Sequence, residues 1–420
     1  MSFRLAIWLC LAAAAARAAP PIPAEEFRQR RQGLLAALPG ALIVLEGASE
    51  AETGDLRTGF LQEPNFYYLT GWKEPGAFLL LSPTAEYFFL PPRNEKRERY
   101  TGRKAAPGDP NLETATGFAA VESTEQWKAR FRELCQKHPK VYLLEEKRLK
   151  EAVRDIAPGV EFHDLTLPLA RLRMVKSERE IALLQESTDI TVESHLAGWR
   201  RLMPGIAEYQ LAATMIGQYL DKGCERQAYP AIVASGPKAL ILHYGENKRR
   251  IDRGELVLFD VGAECSGYAA DLSRTVPAGG KFTPRQRELY EILLGAQSAA
   301  IAAAKPGMKL RGSSENSLEQ LVKDYLDKHR KGPGGNPLGK YFTHGLGHHV
   351  GLQVHDATDP SLPLAAGMVV TIEPGLYIPE ENIGIRIEDM VLITANGARI
   401  MSAALPREVR EIERYFARAH

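Results

Sequence analysis

Cysteine is scarce in this chain: four residues among 420, none spaced as Cys-x-x-Cys. That spacing excludes a thiolate metal site, and Cys135, Cys224 and Cys265, the three beyond the first eighteen residues, imply no disulfide framework. Charge of one sign is also missing. Lys and Arg number 53 against 52 Asp and Glu, a formal net charge of +1, so nothing draws a polyanion and nucleic acid is excluded as a partner. The basic-looking cluster RNEKRER mixes signs and reads as a solvated loop. No repeat of about 20 to 50 residues recurs, which excludes a solenoid. Low-complexity sequence is limited to the N-terminus and the short loop KGPGGNP.

What is there fits a globular protein of two domains. Hydrophobic residues make up 45% and charged residues 25%, enough to build a sizeable core, and the length exceeds the usual span of one domain. The opening MSFRLAIWLCLAAAAARA has one early cation, Arg4, an apolar run and the small-x-small triplet Ala16, Arg17, Ala18. Residues 1–18 therefore read as an export signal, to the periplasm or the medium. The run is shorter than the roughly 20 residues of a spanning helix. Bulky Ile7, Trp8 and Leu9 before Cys10 do not suit a lipid-attachment site. Removal of the signal takes Arg4 and Arg17 from the 53 bases and leaves a net charge of −1 against 52 acids.

Residues 24–172 read as a sheet-rich α/β domain. A helical stretch, EEFRQRRQGLLAAL, gives way to the strand-like runs ALIVLEG, NFYYLTG, AFLLLS and EYFFLPP, set apart by turn residues. Near residue 172 the texture changes. Ser177 followed by Glu180 forms a capping box before a long helical pattern, and helices over 209–223, 284–304 and 314–330 then alternate with strand-like segments. Residues 173–416 are thus a second domain, of α+β type.

Acids sit inside the apolar runs of this second domain. ELVLFDVG holds Asp260 and SGYAADLSRTV holds Asp271; the two runs can pair as a hairpin and bring both carboxylates to one place. Desolvating such acids is costly unless something positive compensates them. The pattern returns in VVTIEPG with Glu373 and in IGIRIEDMVLIT, where alternation puts Arg386 and Glu388 on one face opposite the isoleucines. Between these runs lies THGLGHHVGLQVHD, with four of the ten histidines, His344, His348, His349 and His355. His344 and His348 have the spacing of a zinc-protease helix, but Gly345 stands where that motif needs Glu, and Gly347 and Gly351 also oppose a helix. An extended, glycine-rich segment that turns one or two imidazoles inward is expected instead, with His349 structural.

These residues in this order resemble the metallopeptidase family with the pita-bread fold, which contains methionine aminopeptidase, prolidase and aminopeptidase P; the similarity spans residues 27–416. The resemblance implies a pita-bread catalytic domain behind an α/β N-terminal domain. It further implies that Asp260, Asp271, His348, Glu373 and Glu388 bind two divalent metal ions, Asp271 and Glu388 spanning the pair. NFYYLTGWKEPGAFLLL is similar to the N-terminal domain of aminopeptidase P and prolidase, so peptides with proline second are the implied substrates. Glu373 is then the general base, His243 and His355 bind the substrate carbonyl, and His344 and Arg386 line the proline side or orient the acids. Lys238 departs from the Asn often found there in relatives. Relatives also imply a homo-oligomer, dimer or tetramer, and Tyr100 matches an aromatic that in some relatives reaches towards a neighbouring active site. Alternatives within the fold are a prolidase restricted to dipeptides, a metal-free creatinase-like hydrolase and a non-catalytic peptide-binding relative.

Four carboxylates in one site repel one another by about 4 kcal/mol per pair at 4 Å and an effective dielectric near 20. Two divalent cations cancel that charge. Oxygen-rich ligation with one imidazole suits manganese, with zinc, cobalt or iron as further candidates.

Overall fold

The computed structural model describes residues 19–49 and 59–419. The export signal expected at residues 1–18 lies outside the described residues, and among the described ones no helix is long and apolar enough to cross a membrane.

After the helix Ala24–Ala37, a mixed sheet of six strands forms in the order Val121–Ser123, Ala85–Leu90, Phe78–Ser82, Leu42–Glu46, Lys140–Leu143 and Glu161–Asp164. Its strand LIVLE lacks polar alternation because both faces are covered. Ile43 and Leu45 pack with Leu34, Phe66 and Leu69, whereas Leu42 and Val44 pack with Trp127 and Phe131. The run NFYYLTG, expected to be strand-like, is instead the helix Pro64–Thr70. Glu63 caps it by accepting the Phe66 amide at 2.6 Å, Pro64 presets the first turn, and Gly71 closes it with φ of 68°. A short apolar run is the same in a strand and a buried helix, so the flanking residues decide.

The helix Thr166–Met174 leads out of this region: Leu169 belongs to the first core and Met174 to the second. There the Ser177–Glu180 capping box starts the helix Glu178–Arg201, with reciprocal bonds of 3.2 and 3.0 Å. The helices Glu208–Asp221, Pro284–Ala303 and Leu318–Asp327 follow. The last is shorter than expected because Ser317, not Ser314, caps it. One large core joins Leu183, Met215, Leu293 and Val322 from these helices to Val257, Phe259, Val369 and Met390 from the strands.

The expected hairpin is present. Leu256–Val261 pairs antiparallel with Leu272–Pro277, Ser273 facing Asp260, and the chain between them extends as a short arm that turns at Ser266 and Gly267, φ 55° and 82°. The expectation on cysteine fails, for Cys224 and Cys265 are disulfide-bonded across 41 residues. The strand Arg226–Gln227 pairs with Ala263–Cys265 so that Gln227 faces Ala263 and Arg226 faces Glu264, and this register sets the two cysteines side by side. Spacing in sequence carries no trace of it. Cys135 is free.

Candidate active site

Alternation along LVLFDV sends Val257, Phe259 and Val261 into the helix-covered core. Leu258 and Asp260 therefore face the other way, Leu258 packing with Ile232, Ala239 and Tyr244. Ser273, paired with Asp260, and Asp271 two residues before it share that face. A tyrosine not anticipated from sequence joins the two acids: the Tyr229 hydroxyl lies 2.6 Å from Asp260 Oδ1 and 2.5 Å from Asp271 Oδ1, one proton serving both.

The histidine segment is extended, as its glycines require. It runs antiparallel to the strand Val369–Ile372, with Val350 N to Val369 O at 3.1 Å, Thr371 N to His348 O at 2.8 Å and Glu373 N to Leu346 O at 2.9 Å. The approach is so close that a Cβ on Gly347 would lie 2.0 Å from the Thr371 carbonyl oxygen. Consequently His348 Nε2 stands 3.3 Å from Asp271 Oδ2 and 3.4 Å from Glu373 Oε1. His348 Nδ1 faces the His349 carbonyl at 3.2 Å, so Nδ1 carries a proton and Nε2 faces the acids, the tautomer a metal ligand needs. His349 is buried and bridges Val370 through its backbone.

IGIRIEDMVLIT is not one strand. Ile383–Arg386 pairs with Gly375–Ile378, Asp389–Thr394 pairs with Val369–Ile372, and Glu388 occupies the crossing. Its amide donates to the Ser273 carbonyl at 3.0 Å and its carboxylate accepts from Ser273 Oγ at 2.7 Å. Ser273 Oγ in turn accepts from Arg386 Nε at 2.9 Å. Arg386 also holds Asp260 through an ion pair and donates to the Tyr377 hydroxyl at 3.0 Å. Since Tyr377 accepts there, its own proton goes to His344 Nε2, 3.0 Å away, leaving His344 Nδ1–H for the Gly345 carbonyl at 2.9 Å. His344 is thus neutral, and burial first of all depresses its pKa to about 4.

The structure brings all five expected ligands to one place. Ligand atoms of Asp271, His348 and Glu388 lie within 4.8 Å of one another; Glu373 touches His348, and Asp260 shares Tyr229 with Asp271. His355 stacks edge-on against the His348 ring, centroids 4.2 Å apart. His243 is exposed, and after burial and His348 its charge helps depress the His355 pKa. Its neighbour Tyr244 bonds to buried Glu208 at 2.9 Å, and Lys238 stands over the Tyr244 ring.

Electrostatics expose the strain of the cluster. Burial pushes Glu388 well above the carboxylate range, Asp271, Glu373 and Asp260 adding to it. Burial likewise raises Asp271 and lifts Glu373 to about 7. His348 is raised because Asp271 and Glu373 outweigh the effect of its burial. Buried acids that resist ionisation, an imidazole with its free nitrogen among them and no thiolate form a donor set suited to divalent cations.

A helix-covered antiparallel domain with such a cluster, placed behind an α/β domain, defines a two-domain metallopeptidase of pita-bread architecture. The profile of metallopeptidase family M24 matches residues 182–395 and that of the aminopeptidase P N-terminal domain matches residues 27–142. The chain belongs to metallopeptidase family M24. It is 32% identical to the Xaa-Pro aminopeptidase of Haemophilus influenzae, over 93% of this chain and 97% of that one. The Xaa-Pro aminopeptidase of Escherichia coli is 31% identical with the same coverage. Zinc-substituted E. coli aminopeptidase P in complex with product superposes with a TM-score of 0.86 at 29% identity, covering 96% of this chain and 100% of that one.

Proposed function

We propose that this protein is an Xaa-Pro aminopeptidase, cleaving the bond between an N-terminal residue and a following proline. The observation that carries the reading is the convergence of Asp260, Asp271, His348, Glu373 and Glu388 in one buried cluster. These five residues would hold two divalent ions, manganese by preference, which when bound would activate water and polarise the scissile carbonyl.

The chain's own groups do the rest. Glu373 takes a proton from the attacking water and returns it to the departing nitrogen, which as a tertiary amide has no hydrogen of its own. His355 and His243 direct ring N–H groups at the carbonyl oxygen and the oxyanion that replaces it. Neutral His344 and Arg386, joined through Tyr377, form the proline side, and Arg386 also holds Asp260 in place. Export is part of the proposal, supported by the signal-like residues 1–18 and by a disulfide of the kind that persists in oxidising compartments. A homo-oligomer is proposed as well; Tyr100, 91% exposed, is available for contact with a second copy.

The test is a panel of Xaa-Pro-Xaa tripeptides and Xaa-Pro dipeptides assayed with manganese, zinc, cobalt and iron(II), and with a chelator. Release of the first residue from tripeptides, abolished by the chelator, is expected. Hydrolysis of dipeptides alone would make the protein a prolidase, and chelator-insensitive or absent hydrolysis would reject the reading.

A further inference from the structure

We propose that Asp356 is a positioning residue for His355: clamped by Arg173 and Lys176 at the joint between the two domains, it holds the neighbouring imidazole over His348. The inference rests on the role given to His355 above.

Asp356 is buried, and each carboxylate oxygen has its own cation, Oδ1 with Arg173 at 2.5 Å and Oδ2 with Lys176 at 3.1 Å. The three side chains are 1 to 2% exposed. Arg173 lies in the last turn of the helix that leaves the N-terminal sheet, and it donates onward to Asn65 at 2.7 Å and to Gln353 at 3.0 Å. One carboxylate therefore ties the histidine loop to the linker and, through Arg173, to the N-terminal domain. A buried ion pair adds little stability over an apolar packing of the same volume. What this cluster does supply is a fixed direction.

His355 closes a run of bends, Gly351 to His355, so an immobile Asp356 fixes the peptide that joins the two residues. With Asp356 anchored, His355 is held against His348, 4.2 Å between ring centroids. The loop is closed behind the carboxylate: Asp356 N donates to the His349 carbonyl at 2.9 Å. A Cβ on Gly351 would fall 2.3 Å from Asp356 Oδ2, so glycine there lets the backbone fold against the anchor. The Asp356 carboxylate bonds to Arg173 and Lys176 and not to the acid cluster, so its charge acts through the placing of His355; its amide, which shares the His349 carbonyl with His348 Nδ1, is left in place by a side-chain substitution.

Asp356→Asn keeps the shape and removes the charge. In the metal-loaded full chain, kcat for an Xaa-Pro-Xaa peptide should fall about 10- to 100-fold, as misplacement of a group by about 1 Å does, with KM and bound metal little changed. In a His355→Ala background the same substitution should have no further effect, because both changes remove one interaction. In the metal-free protein with labelled histidines, the nuclear Overhauser contact between the His355 and His348 rings should be lost. An equal fall in kcat in both backgrounds, or wild-type kcat and an intact ring contact in folded Asp356→Asn, would overturn the proposal. Should that variant not fold, Lys176→Gln leaves the Arg173 bond in place, and the same two outcomes decide. If His355→Ala itself retains full turnover, the functional reading fails, while the ring contact still tests the positioning.

Discussion

At the scale of single residues, two kinds of side chain surround the cluster and should fail differently. Asp260 is a ligand candidate whose other partners are Tyr229 and Arg386; Asp260→Ala should give a folded, inactive protein that has lost bound metal, as measured by elemental analysis. His355 lies on the substrate side. His355→Ala should lower turnover by about 10² with metal content nearly unchanged, the loss expected for one oxyanion donor; metal lost in parallel would reassign it as a ligand. Tyr229 belongs to neither kind, since its hydroxyl serves Asp260 and Asp271 at once. Tyr229→Phe should weaken metal binding about 10- to 100-fold, the range for supporting hydrogen bonds around a metal site, and calorimetric titration with manganese measures it.

At the scale of elements, register decides what the sequence could reveal. Asp260, Asp271, Glu373 and Glu388 were legible as a set: alone, each acid in or at the end of an apolar run reads as an ordinary solvated or salt-bridged strand residue, and only the four together point to a site. Tyr229, Ser273 and Tyr377 were not, since their roles exist only once strands more than thirty or a hundred residues apart are brought into register, as in Ser273 to Glu388 across 115 positions. The Cys224–Cys265 bond was hidden for the same reason, and NFYYLTG was misread because the residues that start its helix, Glu63 and Pro64, lie before the run. That disulfide closes the arm beyond the hairpin carrying Asp260 and Asp271 onto the segment leading to Tyr229. Replacing both cysteines with serine should destabilise the fold by about 2–4 kcal/mol, read as a lower denaturant midpoint. On the helix Glu178–Arg201, His195 makes a second element-level prediction. Burial first of all depresses its pKa to about 3, far below the 6.5 of an unfolded histidine. The unfolded state thus binds the extra proton between pH 6.5 and 3, and stability drains away as pH falls through that window. His195→Gln, which can still bond to the Leu272 carbonyl, should lose less stability between pH 7 and pH 4 than the parent does, by chemical denaturation.

At the scale of the whole molecule, one charge imbalance sits at the centre of the fold. The N-terminal domain, the linker and the histidine loop meet at Arg173 and Asp356, while strands from both halves of the catalytic domain meet at the acids, so the state of the cluster is felt by the global unfolding equilibrium. Without metal, Glu373, Asp271 and Glu388 have folded pKa values raised above their unfolded ones, Glu373 to about 7 and Glu388 well above the carboxylate range. His348 is raised too. For every one of these groups the stabilising proton is held below the unfolded pKa and lost as pH rises through the folded one, so the metal-free protein should become less stable from pH 7 to pH 8. Histidines depressed by burial do not mask this, because above about pH 7 they are neutral both folded and unfolded. Metal ions take the place of those protons, and their binding to the folded state alone adds stability. The melting temperature of the manganese-loaded protein should therefore exceed that of the chelator-treated protein, and the gap should widen between pH 7 and pH 8. Scanning calorimetry of the two forms across that range decides the matter: a gap that is constant or shrinks would show that the acids are not held against one another in the folded chain.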